Sequence, residues 1–185
     1  NTPPDNTRDS EYLGLVGEIL GGGKTSRLYE RLVYRERLAD SAGAGQSPLE
    51  IAGLFTLSAD VKQGVPVARV EAAMMEELHR FIDKGPTKAE LERARIAIRA
   101  GFVRGLERIG GFGGKADVLA SCEVYAGDPG CYRQSLEWIE AAKPVDLQRV
   151  ARQWLSQGDY TLEVLPQPPY SAAAADAVDR KPGPP

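Results

Sequence analysis

Ile51, Gly53, Phe55, Leu57, Ala59 and Val61 fall on one side of an extended chain, and Ala52, Leu54, Thr56, Ser58 and Asp60 on the other. That period of two predicts a strand over 51–61 with one buried face. It constrains everything else, because a sheet face that is apolar must be covered by another layer. The preceding stretch, Ala39 to Ser47, is made of small residues and reads as a companion strand.

The cover comes from helices. Tyr12, Leu13, Leu15, Val16, Ile19 and Leu20 recur at helical spacing over about 10–20, and Gly21-Gly22-Gly23 stops the run. Thr25 or Ser26 can cap a second helix, since a hydroxyl accepts from the free N–H groups of the first turn. Leu28, Tyr29, Leu32 and Val33 give that helix its apolar face, to about Arg37. Pro66 opens another, striped by Val67, Val70, Met74, Leu78 and Ile82, and Gly85-Pro86 ends it. Thr87 and Glu90 form a capping box at the head of a long helix, with Leu91, Ala94, Ile98, Phe102 and Leu106 facing inward. The glycines around Phe112 break it. Further helices are predicted at about 115–125, 131–142 and 145–156, and Tyr160–Leu165 alternates as a final strand.

Strands next to each other in sequence, without regular βαβ alternation, predict an α+β fold: a mainly antiparallel sheet with helices packed on one face. Residues 1–10 read as a polar lead-in truncated from an upstream domain, 11–165 as the domain, and 166–185 as a Pro/Ala-rich linker to a further repeat. The chain opens on Asn1 rather than Met, which points to a piece of a longer polypeptide.

Composition excludes several function classes. Lys and Arg total 23 against 26 Asp and Glu, a net charge of −3 with no basic patch, so nucleic acid is not an expected partner. No apolar run approaches the ~18 residues of a membrane span. Gly23-Lys24-Thr25 looks like the end of a phosphate-binding loop, but the spacing requires glycine where Glu18 stands, and the loop would follow a helix instead of a strand. Cys122 and Cys131 flank a Gly-Asp-Pro-Gly turn; they suit a disulfide in an oxidising compartment or two unpaired thiols.

His79 is the single histidine of the 185 residues. Glu76 and Glu77 stand beside it, but one imidazole with adjacent carboxylates falls short of the three-ligand set of catalytic zinc. His79 is expected to be a partly exposed helix residue beside the apolar stripe. Neither a nucleophile–base pair nor a metal motif emerges from the spacing, so no catalytic and no metal-binding residue is expected in this chain.

Ile19-Leu20-Gly21-Gly22-Gly23-Lys24-Thr25-Ser26-Arg27-Leu28 resembles the Leu-Gly-Gly-Gly-x-x-Ser-Arg-Leu segment in the second domain of a pitrilysin/insulinase-type zinc peptidase repeat. The alternating strand, the helix pair split at Gly85-Pro86-Thr87 and the Gly-Asp-Pro before a helix fit the same order. The resemblance implies paired α+β domains that form a clamshell around a chamber. Zinc in such peptidases is held by an inverted His-x-x-Glu-His motif and a distal Glu on the first domain, so this chain resembles the domain that follows. Where the opposing repeat of the family carries Arg and, seven residues on, Tyr, this chain has Val33 and Asp40, which places it with the zinc-domain half.

The implied parent is a zinc endopeptidase of the periplasm or a secreted one. The implied partners are its zinc-bearing domain, its second repeat and a peptide substrate, and no cofactor is implied on this chain itself. Gly21, Gly22 and Gly23 are the expected substrate-contact residues, their bare backbone being open to an extended peptide. The alternatives are an inactive scaffold, like core subunits of respiratory complexes that share the fold, or an unrelated interaction module.

Overall fold

Residues 1–165 are described in the computed structural model of the chain. The linker expected at 166–185 lies outside them. The elements run α1 (Arg8–Gly21), a π-helix (Tyr29–Arg35), β1 (Ala39–Ser47), β2 (Leu54–Val61), α2 (Val67–Lys84), α3 (Lys88–Gly105), α4 (Lys115–Ala126), α5 (Cys131–Ala141) and α6 (Pro144–Leu155). The α+β class holds, with β1 and β2 forming an antiparallel two-stranded sheet.

Helix α1 is the centre of the core because it is apolar nearly all round. Leu13, Leu15, Val16 and Leu20 are fully buried, and β1, α3, α5 and α6 all pack against this helix. Thr7 caps its start, its side chain accepting from the Ser10 N–H at 3.3 Å. At the same end the Asp9 carboxylate accepts from Arg149 at 2.6 Å and from Trp154 Nε1 at 3.1 Å, which ties α1 to α6. On the sheet, Phe55, Leu57, Ala59 and Val61 pack on the core while Leu54, Thr56, Ser58 and Asp60 are exposed, as the alternation requires.

Helix α2 ends where expected: Gly85 adopts φ 67°, and its N–H donates to the Phe81 carbonyl at 2.8 Å. The capping box of α3 is also present, with Thr87 N–H donating to Glu90 at 2.7 Å and Glu90 N–H to Thr87 at 3.2 Å. Leu91 and Ala94 are buried, while Ile98 and Phe102 are half-buried.

Four expectations need correction. The strand expected at 51–61 begins at Leu54, because residues 48–53 are spent on the connection between β1 and β2, and Ile51 is 88% exposed. The second helix closes as a π-helix, with the Glu36 N–H donating to the Arg31 carbonyl five residues back. Ser26 does not cap it by accepting; its hydroxyl donates to the Gly23 carbonyl at 2.7 Å. The strand expected at Tyr160–Leu165 does not form: the segment is exposed, and Thr161 donates to Glu71 on α2 at 2.9 Å. Alternation supplies the side chains of a strand, but a ladder also needs a free edge within reach, and this segment lies against a helix.

The lead-in residues are packed. Thr2 and Gly53 exchange N–H···O bonds of 3.0 Å, and Gln46 Nε2 donates to the Thr2 hydroxyl at 2.9 Å.

Candidate functional site at the glycine turn

The glycine triplet joins α1 to the π-helix, and close packing explains its first member. A β-carbon on Gly21 would lie 1.8 Å from the Ala44 nitrogen of β1, and one on Gly17, a turn earlier, 3.0 Å from the Gly45 α-carbon. Glycine on both surfaces brings helix backbone against strand backbone. Gly23 has φ 79°, the left-handed region that glycine enters without cost. Within the turn the Gly22 N–H donates to the Glu18 carbonyl at 2.8 Å and the Gly23 N–H to the Gly21 carbonyl at 3.1 Å. The Gly23 carbonyl accepts from both the N–H and the hydroxyl of Ser26. The triplet forms the turn between α1 and the π-helix, and much of its backbone polarity is already engaged.

Beyond the turn, Leu28 and Leu32 are fully buried, and Arg27 and Arg31, also one helical turn apart, face α2 and α3. Arg27 grips Glu90 with two bonds, 2.7 and 2.9 Å, donates to the Gly85 carbonyl at 3.0 Å and lies 5.0 Å over the Phe81 ring. A planar guanidinium suits that fork. Burial alone would raise the Glu90 carboxyl, but Arg27 and the bonds from Thr87 outweigh it and hold it down at about 2. Glu90 is thus an anion through the physiological range, a structural acceptor and no proton donor. Arg31 binds Glu36 at 2.7 Å, Glu76 at 2.6 Å and the Ala73 carbonyl at 3.2 Å, and reaches the buried Glu77 at 3.4 Å.

Glu76 and Glu77, the carboxylates beside His79, are therefore bound by Arg31, with Arg80 adding 3.1 Å to Glu77, and His79 itself is exposed. Val33 packs on the core and Asp40 is exposed on β1. Cys122 and Cys131 are bridged, with α-carbons 5.4 Å apart, so neither offers a thiolate to a metal. Among the described residues, no group of three or more His, Cys, Asp or Glu side chains could hold a metal ion, and the residues present do not fit a zinc centre. A cavity of about 240 Å³ opens beside the turn, lined by Glu18, Gly22, Gly23, Lys24, Glu90 and Arg93 among others. The Arg27–Glu90 pair, 63 residues apart, was not foreseen; only the capping box marked Glu90.

The polar side chains beyond the glycine turn lock the π-helix to α2 and α3. The chain belongs to the Peptidase M16 inactive domain family, which it matches over residues 1–98. It is 28% identical over 164 residues to the zinc protease PqqE of Helicobacter pylori, a match covering 88% of this chain and 36% of that one. A protease structure from Helicobacter pylori superposes with TM-score 0.71 at 24% identity, covering 82% of this chain and 36% of the other. The periplasmic protease PqqL of Escherichia coli superposes with TM-score 0.61 at 13% identity, over 83% of this chain and 16% of the other. At these identities the structural likenesses speak for the fold. The chain spans about a third of the length of the curated relative PqqE. No helix among the described residues is long and apolar enough to cross a membrane.

Proposed function

We propose that this chain serves a zinc-dependent endopeptidase as the domain that follows the zinc-bearing one, walling the chamber in which peptide bonds are hydrolysed. The observation that carries the reading is the match of residues 1–98 to an inactive peptidase domain, in a chain that spans 36% of a relative named a zinc protease. A single histidine supports it, since a hydrolytic zinc needs a ligand set this sequence does not contain. The metal and its base then belong to another part of the parent, and this domain's partners are that zinc-bearing domain, a second repeat and the peptide. Residues 11–165 are the domain in this reading and 166–185 the connector.

The substrate-facing surface we assign is the glycine turn, narrowed to Gly23, because the close approach to β1 occupies Gly21. The Gly22 and Gly23 N–H groups are both engaged within the turn and the Glu18 carboxylate lies over Gly22, so a passing peptide meets Gly23 as bare surface, by shape rather than by ladder bonds. A periplasmic or secreted location is supported by the likeness to a periplasmic protease and by the cysteine bridge, since such bridges persist in oxidising compartments.

The test compares the full-length parent with a version lacking this domain, reading zinc content and cleavage of a quenched fluorescent peptide. Retained zinc with lost cleavage is the expected result. Undiminished cleavage, or loss of zinc from an otherwise folded remainder, would refute the reading.

A further inference from the structure

Helix α4 is held by unusually little. Cys122 is its one buried side chain, while Leu119, Val124 and Tyr125 are exposed at 46%, 72% and 55%. Glycine turns flank it on both sides: Gly111 and Gly113 have φ 80° and 72° before it, and Gly127 has φ 68° after it. Its bridge partner sits on a well-anchored helix. In α5, Ile139 is buried, Arg8 lies 5.8 Å over the Trp138 ring, and Arg95 on α3 donates to the Ile139 carbonyl at 3.1 Å and to that of Ala142. Between α1, α3, α4 and α5 lies a cavity of about 310 Å³, walled by Glu11 from α1, Phe102 from α3, Asp117 and Val118 from α4 and Tyr132 and Leu136 from α5. The Phe102 and Tyr132 rings stack across it at 5.8 Å.

We propose that the Cys122–Cys131 bond is a thiol-exchange site that latches α4, and that a dithiol reductant releases the helix and widens this cavity. The inference is independent of the peptidase reading. Cys131 is half-buried and Cys122 buried, so the reductant's thiolate attacks the Cys131 sulfur. The attack forms a mixed disulfide, and Cys122 leaves as a thiolate. The reductant's second thiol, deprotonated, then attacks its own sulfur in that mixed disulfide, expelling the Cys131 thiolate. Two electrons pass to the protein, the reductant is left as a disulfide, and the two protons its thiols gave up are taken up by the freed cysteines. Without the bond, the hydrogen bond left between α4 and α5 is the one from the Tyr132 N–H to the Cys122 sulfur at 3.2 Å, and the glycines allow α4 to swing.

The experiment is amide hydrogen exchange on the whole chain, oxidised, reduced with dithiothreitol, and as the Cys122→Ser/Cys131→Ser variant. Exchange over 115–126 is expected to quicken by roughly ten-fold or more in both bond-free forms while α1 and α6 hold their protection. Fluorescence of anilinonaphthalene sulfonate should rise as the cavity widens. Three results would overturn the proposal: unchanged α4 protection once alkylation shows both thiols free, a bond that resists dithiol in native buffer, or loss of protection that spreads to α1.

Discussion

A methyl group added at Gly21 would press into the Ala44 backbone, whereas one added at Gly14, two turns earlier on the same helix, meets nothing within 4 Å. Because the obstacle at Gly21 is backbone, it cannot rotate away. Gly21→Ala is expected to cost roughly 3 kcal/mol, and Gly14→Ala to add up to about 1 kcal/mol by helix propensity. Urea denaturation of the two variants checks this, and equal effects would contradict the packing account. Glu90 makes a different residue-level claim. Its carboxyl is lowered from 4.5 to about 2, so its contribution is complete above the unfolded value and drains away as pH falls from 4.5 towards 2. The stability gap between the native chain and Glu90→Gln should therefore be open at pH 7 and close across that window. Glu11 has the opposite sign: burial pushes its carboxyl up, a bond from Ser135 pulls it partly back, and the nearby Asp5 charge adds to the rise. Its contribution is whole at low pH and lost as pH rises, so Glu11→Gln should stabilise the chain at neutral pH and do nothing in acid.

At the scale of elements, what could be read depended on whether the signal was local. The apolar run of α1, the Thr87–Glu90 box and the Gly85-Pro86 break each act within a few residues of themselves, and each appears where the spacing places it. Tyr160–Leu165 carried an equally clear alternation, but a strand is a contract between two segments, and β1 and β2 are paired to each other. The π-helical closure at Arg31–Glu36 escaped notice for a similar reason, since Arg31 is drawn to carboxylates on α2 that no local pattern announces. Two consequences follow for these elements. Thr87→Ala should cost about 1 kcal/mol through loss of the α3 cap, read as a fall in Tm. Ending the chain after Gly158 should shift Tm by no more than about 2 °C, because residues 159–165 are exposed along their length; a larger fall would show that the removed segment holds the fold.

Seen whole, the molecule is a helical layer gathered around α1, with a thin sheet on one side and arginines clamping the junctions. The class of the fold was open to reading because its periods differ, two in β2 and helical in the segments that cover it. The candidate site was half open. The glycine triplet announced a special turn, but the reason for Gly21 is a strand more than twenty residues away, and the role of Arg27 is a carboxylate 63 residues away. Neither distance has a trace in spacing. What composition did reveal is a shortage of imidazole, and the account of this chain as a framework for chemistry performed elsewhere depends on it. Zinc analysis after exhaustive dialysis, with a peptide cleavage assay on the same sample, tests that most directly. The expected result is zinc far below one ion per chain and no cleavage; one tightly held zinc per chain, with hydrolysis that a chelator abolishes, would contradict it.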